Sequence, residues 1–143
     1  MGRATLHLLK LCVGADSVED LAEWQAGRLA ETGARAAVHV TRMWPKRAEA
    51  LLDGGSLYWV IRGQTLARQR ILGLEPRDGA DGVRRCAILL DPAIVRTAPQ
   101  PRRPFQGWRY LPGPEAPRDL AAGTAVADLP PTLLAALDAA GVL

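Results

Sequence analysis

Arg42, Trp44, Lys46 and Arg47 set three cations around one large ring just ahead of the run Ala48 to Leu52, and no other part of the sequence gathers as much binding chemistry. Guanidinium and ammonium groups take phosphate or carboxylate oxygens, and an indole face takes a stacked base. A helix starting at Pro45 adds unpaired backbone N–H groups to the same place. This is the outline of an anion site with a preference for flat ligands. Arg68 and Arg70, two apart and so on one side of a strand, join the candidate binding residues together with Trp108 and Arg109. The competing reading makes the arginines a solvated face and leaves Trp108 to cap a sheet end.

Catalytic patterns are weaker. Gly54-Gly55-Ser56 is not a nucleophile elbow, because Tyr58 stands where glycine is needed and the serine lies between a helix and a strand. His7 and His39 both sit in apolar runs, where a buried, hydrogen-bonded imidazole is the simpler state. Neither has metal-ligand spacing to Cys12 or Cys86, so no metal and no cofactor is expected. An enzyme would need an acid or base beside the basic segment, for which His39, Glu49 and Asp53 are the nearby choices. The sequence assigns no catalytic residue.

Charge sharpens the binding reading. Of 18 Lys and Arg, 16 are arginine, and residues 42–109 carry 13 of them against 6 acids although the whole chain is only +3. Most of the aromatic residues fall in this basic middle, and rings interleaved with arginines suit single-stranded nucleic acid. A chain of 143 residues fits a single domain spanning 1–143 with an ordinary core. The two cysteines lie in apolar runs and are expected to be buried and reduced. His7 and Lys10 interrupt the apolar start, no cleavage site follows, and no run is long enough to span a bilayer, so a soluble cytoplasmic protein without a membrane partner is expected.

Those residues need elements to position them. Apolar patterning predicts strands near 4–13, 37–43, 56–62, 65–74, 83–90 and 105–111, and helices at 16–31, 45–53 and 131–140. Asp16 and Glu19 suggest a capping box for the first helix and Gly33 its stop, while Asp53-Gly54-Gly55 ends the second. Arg62-Gly63-Gln64 reads as a hairpin turn, and the three strands between 56 and 90 as an antiparallel meander. Residues 99–104, PQPRRP, lack the N–H groups for a sheet interior and are expected to run extended over the surface, where they offer a docking segment for a protein partner.

The motifs PKRAEALLDGGSLYWVIRG at 45–63, RQRILGL at 68–74 and RRPFQGWRYL at 102–111 resemble an uncharacterised bacterial family, domain of unknown function 1489. The likeness extends to LHLLKLCVGADSVEDL at 6–21 and PPTLLAAL at 130–137, and it carries no activity with it. The order of Arg42, the turn 45–55 and the strand 56–62 is also similar to PUA and ASCH-like domains. The elements together read as an α+β fold with a mixed, mostly antiparallel sheet flanked by two to three helices, and the resemblance implies that the sheet curls toward a partly open barrel. It also implies an RNA, nucleotide or modified-base ligand near Arg42 and Lys46.

The expected function is therefore binding of RNA or a nucleotide-like anion through Arg42, Trp44, Lys46, Arg47, Arg68, Arg70, Trp108 and Arg109. Two alternatives stand beside it: a small enzyme on a phosphorylated or nucleotide substrate, and a protein-interaction module using segment 99–104.

Overall fold

The computed structural model describes residues 5–120, so the helix expected at 131–140 lies outside the described residues. Strand β1 (Leu6–Leu11) leads into helix α1 (Val18–Thr32), strand β2 (Ala37–Thr41) and the short helix α2 (Ala48–Leu52). Strands β3 (Ser56–Ile61), β4 (Gln64–Asp78), β5 (Arg84–Leu90), β6 (Val95–Pro101) and β7 (Trp108–Pro112) follow, with a single 3-10 turn at Gly113–Glu115. The architecture is α+β, as expected, and among the described residues no helix is long and apolar enough to cross a membrane.

The seven strands form one mixed sheet in the order β2-β5-β4-β3-β1-β7, with β6 beside β4. Among the described strands only β1 and β3 pair in parallel; the long connection between them, through α1, β2 and α2, makes that possible. The expected curl into a barrel is not shown: β2 and β7 are the two ends of the strand order and no pairing joins them among the described residues. The long β4 pairs with β3 and β6 through its first half and with β5 through its second, across a register shift between Ile71 and Gly73.

The meander from β3 to β5 is present, and its first turn places Arg62 at φ 52° and Gly63 at φ 78°, both left-handed, which matches the twist of a two-residue hairpin. Segment 99–104 is extended at its start, as expected, but Pro99 to Pro101 belong to β6, and Gln100 and Pro101 pair with β4. The prolines are tolerated because Pro99 falls where the register shifts, between the pairs Thr65–Gln100 and Ala67–Arg96, and Pro101 is the last residue of the strand.

Every residue of β3 is buried, so its two faces pack against different layers. Leu57 and Trp59 join Leu8, Leu21, Leu51, Ile88 and Trp108 under the helices, whereas Tyr58 and Val60 pack with Leu9 and Leu111 on the opposite face. Both aromatic residues of β3 are therefore core. A buried amide pair ties α1 to the sheet, with Gln25 bonded to Gln69 and the Trp59 indole N–H donating to the same Gln69 oxygen.

Local signals were displaced by a residue or two. Ser17, not Asp16, caps α1, its hydroxyl accepting from the Asp20 amide, while the Asp16 amide donates to the Asp20 carboxylate. Gly33 closes α1 at φ 68°, as its sequence position implies. Helix α2 begins at Ala48 rather than Pro45, because residues 46 and 47 form a turn first. Gly55 is required by close approach: a Cβ there would stand 2.3 Å from the Leu6 carbonyl oxygen and 2.4 Å from that of Leu51.

Candidate functional site

The segment between β2 and α2 is held against β7 by two bonds. The Trp108 indole N–H donates to the Met43 carbonyl at 2.8 Å, and the Arg47 amide donates to the Tyr110 hydroxyl at 3.1 Å. Trp108 and Tyr110 alternate with Arg109 along β7 and so share a face, where their rings meet edge to face at 4.8 Å. Between the segment and the strand runs a groove of about 490 Å³ lined by Met43, Trp44, Lys46, Arg47, Trp108, Arg109 and Tyr110.

Five of the eight sequence-chosen residues thus line one groove, and they do so with different roles. Lys46 and Arg47 are exposed, and no carboxylate pairs with either among the described residues. Trp44 is 37% exposed and Met43 53%, so an apolar rim stands open to solvent beside the cations. Trp108 is only 6% exposed, with its N–H engaged, and forms a wall rather than an open stacking platform. The Arg109 guanidinium lies over the Phe105 ring, 5.6 Å from its centroid. Helix α2 has five residues, too few for the helix-start N–H groups to form an anion site.

Arg42 is exposed one residue before Met43 and does not line the groove. Arg68 and Arg70 belong elsewhere. They share a face of β4, opposite Tyr58 and Ser56 of β3, as their spacing implies. Arg70 is exposed, whereas Arg68 is half-buried and bound to Asp119 and Ser56.

Of the enzyme candidates, His39 is packed edge to face on Trp59 at 5.3 Å, and burial followed by the Lys10 charge lowers its pKa to about 4. Its Nε2 is buried without a partner among the described residues. It borders a pocket of about 320 Å³ with Lys10, Cys12, Trp24 and Trp59, and neither Glu49 nor Asp53 is among the described residues lining it. Cys12 and Cys86 are free thiols, the first half-buried and the second fully buried, and burial raises both pKa values. His7 is buried and hydrogen-bonded, its Nδ1 accepting from the Ser56 amide at 2.9 Å.

Tyr110 was missed by sequence reasoning, although its place two residues beyond Trp108 on the same strand face was the available signal. No curated protein and no solved structure matches the chain. Residues 8–143 match the family described as protein of unknown function, DUF1489, and at that coverage the chain belongs to it.

Proposed function

We propose that this protein binds RNA or a nucleotide-like anion in the groove between residues 43–47 and β7. One base lies against Trp44, with Met43 and the Trp108–Tyr110 wall enclosing it, and Lys46 and Arg47 take the phosphate. Arg42, at the edge, extends the cationic rim. The observation that carries this reading is the meeting, in one groove, of an open apolar rim and exposed cations that pair with no carboxylate among the described residues. The similarity of the Arg42, turn and β3 order to PUA-type domains supports the same ligand class, and a barrel-like curl of the sheet belongs to this proposal. Two free thiols support a reducing compartment, so the cytoplasm is part of it as well.

The test is binding of a fluorescent single-stranded RNA and of a mononucleotide at low salt, with Trp44→Ala and Lys46→Gln alongside the unaltered chain. Absence of binding to both probes, or binding unchanged in both variants, defeats the proposal. Capture of a protein partner through 99–104 instead would favour the interaction-module alternative.

A further inference from the structure

On the sheet face opposite the Trp108–Tyr110 groove, β1, β3 and β4 converge on a polar cleft of about 550 Å³ that includes His7, Ser56, Tyr58, Arg68 and Asp119. Its chemistry is set by one residue pair. Arg68 Nε and Nη2 donate to the two carboxylate oxygens of Asp119 at 2.7 and 2.6 Å, and Nη1 donates to the Ser56 hydroxyl at 2.9 Å. The guanidinium is therefore oriented by Ser56 and presents its fork to a planar two-oxygen acceptor. Because His7 Nδ1 accepts from the Ser56 amide, the neutral ring carries its proton on Nε2 and is a donor there. Burial, and then the Arg68 charge, lower the pKa of that ring and so favour its neutral form. Arg68 and His7 thus both offer donors to this cleft, and among the described residues lining it Asp119 is the one carboxylate.

The geometry points to a binding site for a small carboxylate ligand in this cleft, with Arg68 as its anchor, His7 as a second donor and Asp119 as the chain's own carboxylate holding the ligand's place. Asp119 is well suited to that exchange. Its backbone stays fixed, since the Ala98 amide donates to the Arg118 carbonyl and the Leu120 amide to the Arg96 carbonyl on either side of a bridge between Thr97 and Asp119. Its side chain is 43% exposed, so a rotation of that side chain frees the fork without unzipping any strand. The site is independent of the nucleotide groove, which lies on the other face and uses none of these residues.

The experiment titrates the full chain with succinate while following the ¹⁵N and ¹H resonances of the His7 imidazole and the Arg68 Nε. The unaltered protein is expected to show saturable shifts at millimolar succinate, Asp119→Asn to bind at least tenfold tighter, and Arg68→Gln to show none. Because Arg68→Gln can weaken folding, Ser56→Ala serves as a second variant: it frees the guanidinium orientation and is expected to weaken binding severalfold with an unchanged circular dichroism spectrum. The proposal is overturned if the unaltered protein does not respond, even where Asp119→Asn does, since a vacated guanidinium takes any anion. It is equally overturned if the shifts persist in a folded Arg68→Gln protein or are the same in Ser56→Ala.

Discussion

Gln25 of α1 and Gln69 of β4 exchange two hydrogen bonds, at 2.9 and 2.7 Å, in the buried space between helix and sheet. Gln69 also accepts from the Trp59 indole at 2.8 Å and donates to the Asp91 carbonyl at 2.9 Å, so one amide ties together α1, β3 and the residue that follows β5. Replacing it with leucine leaves the Gln25 amide, the Trp59 N–H and the Asp91 carbonyl without partners. Gln69→Leu is expected to cost about 2–4 kcal/mol in urea unfolding. The double variant Gln25→Leu, Gln69→Leu is expected to cost less than the sum of the single changes, because it removes both halves of the pair.

The glycine pair before β3 separates two kinds of constraint. Gly54 has φ 88° but open space around it, while Gly55 has no room for a side chain between the Leu6 and Leu51 carbonyls. Gly54→Ala is expected to cost about 1 kcal/mol through backbone strain. Gly55→Ala is expected to cost at least about 3 kcal/mol, because both obstacles are backbone atoms of paired elements. Thermal unfolding of the two variants side by side distinguishes them.

For the nucleotide groove, the salt dependence of RNA binding reports the number of phosphates neutralised. With Lys46 and Arg47 in the groove and Arg42 at its edge, the slope of log affinity against log salt is expected at about −1.4 to −2.1, from a value near −0.7 per contact on single strands. Lys46→Gln is expected to make it shallower by about 0.7. Trp44→Ala leaves the slope unchanged and lowers affinity by about 1–3 kcal/mol, measured by fluorescence anisotropy at several salt concentrations.

His39 makes stability depend on pH. Its pKa is lowered from 6.5 to about 4 in the folded chain, so between those values the unfolded chain binds more protons. The contribution is complete above about pH 6.5 and is lost as the pH falls toward 4, to a total of about 3 kcal/mol. His7, whose pKa is also lowered, acts with the same sign, so His39→Phe is expected to remove only part of the acid sensitivity. Urea unfolding at pH 7 and pH 4.5 for both proteins measures the difference.

Much of the fold was legible because the signals were local. The glycine stop at 33, the apolar run of β3 and a hairpin turn beginning at Arg62 each depend on neighbours in sequence, and each is present, the turn being closed at Gly63 with Gln64 already in β4. Strand β6 was not legible, since Pro99 and Pro101 argue against a strand until the register shift at Pro99 and the strand-end position of Pro101 are known. The site divides in the same way. Trp44, Lys46 and Arg47 announce themselves within four positions, but the wall they meet, Trp108 and Tyr110, is brought there only by the pairing of β7 with β1. Arg68 was recognised as a candidate while its partner Asp119, 51 residues away, carried no sign of the relationship.

The position of β1 in the sheet sets an order of events during synthesis. Its two neighbours among the described residues are β3 and β7, so β1 is paired on one side only after residue 61 and on the other only after residue 112. Until then its backbone groups and the apolar residues Leu6, Leu8 and Leu9 wait on the emerging chain. Closing the sheet over such separations places this domain among slow folders, and a nascent chain halted before β7 presents β1 as a bare edge for chaperones or for other nascent copies to pair with.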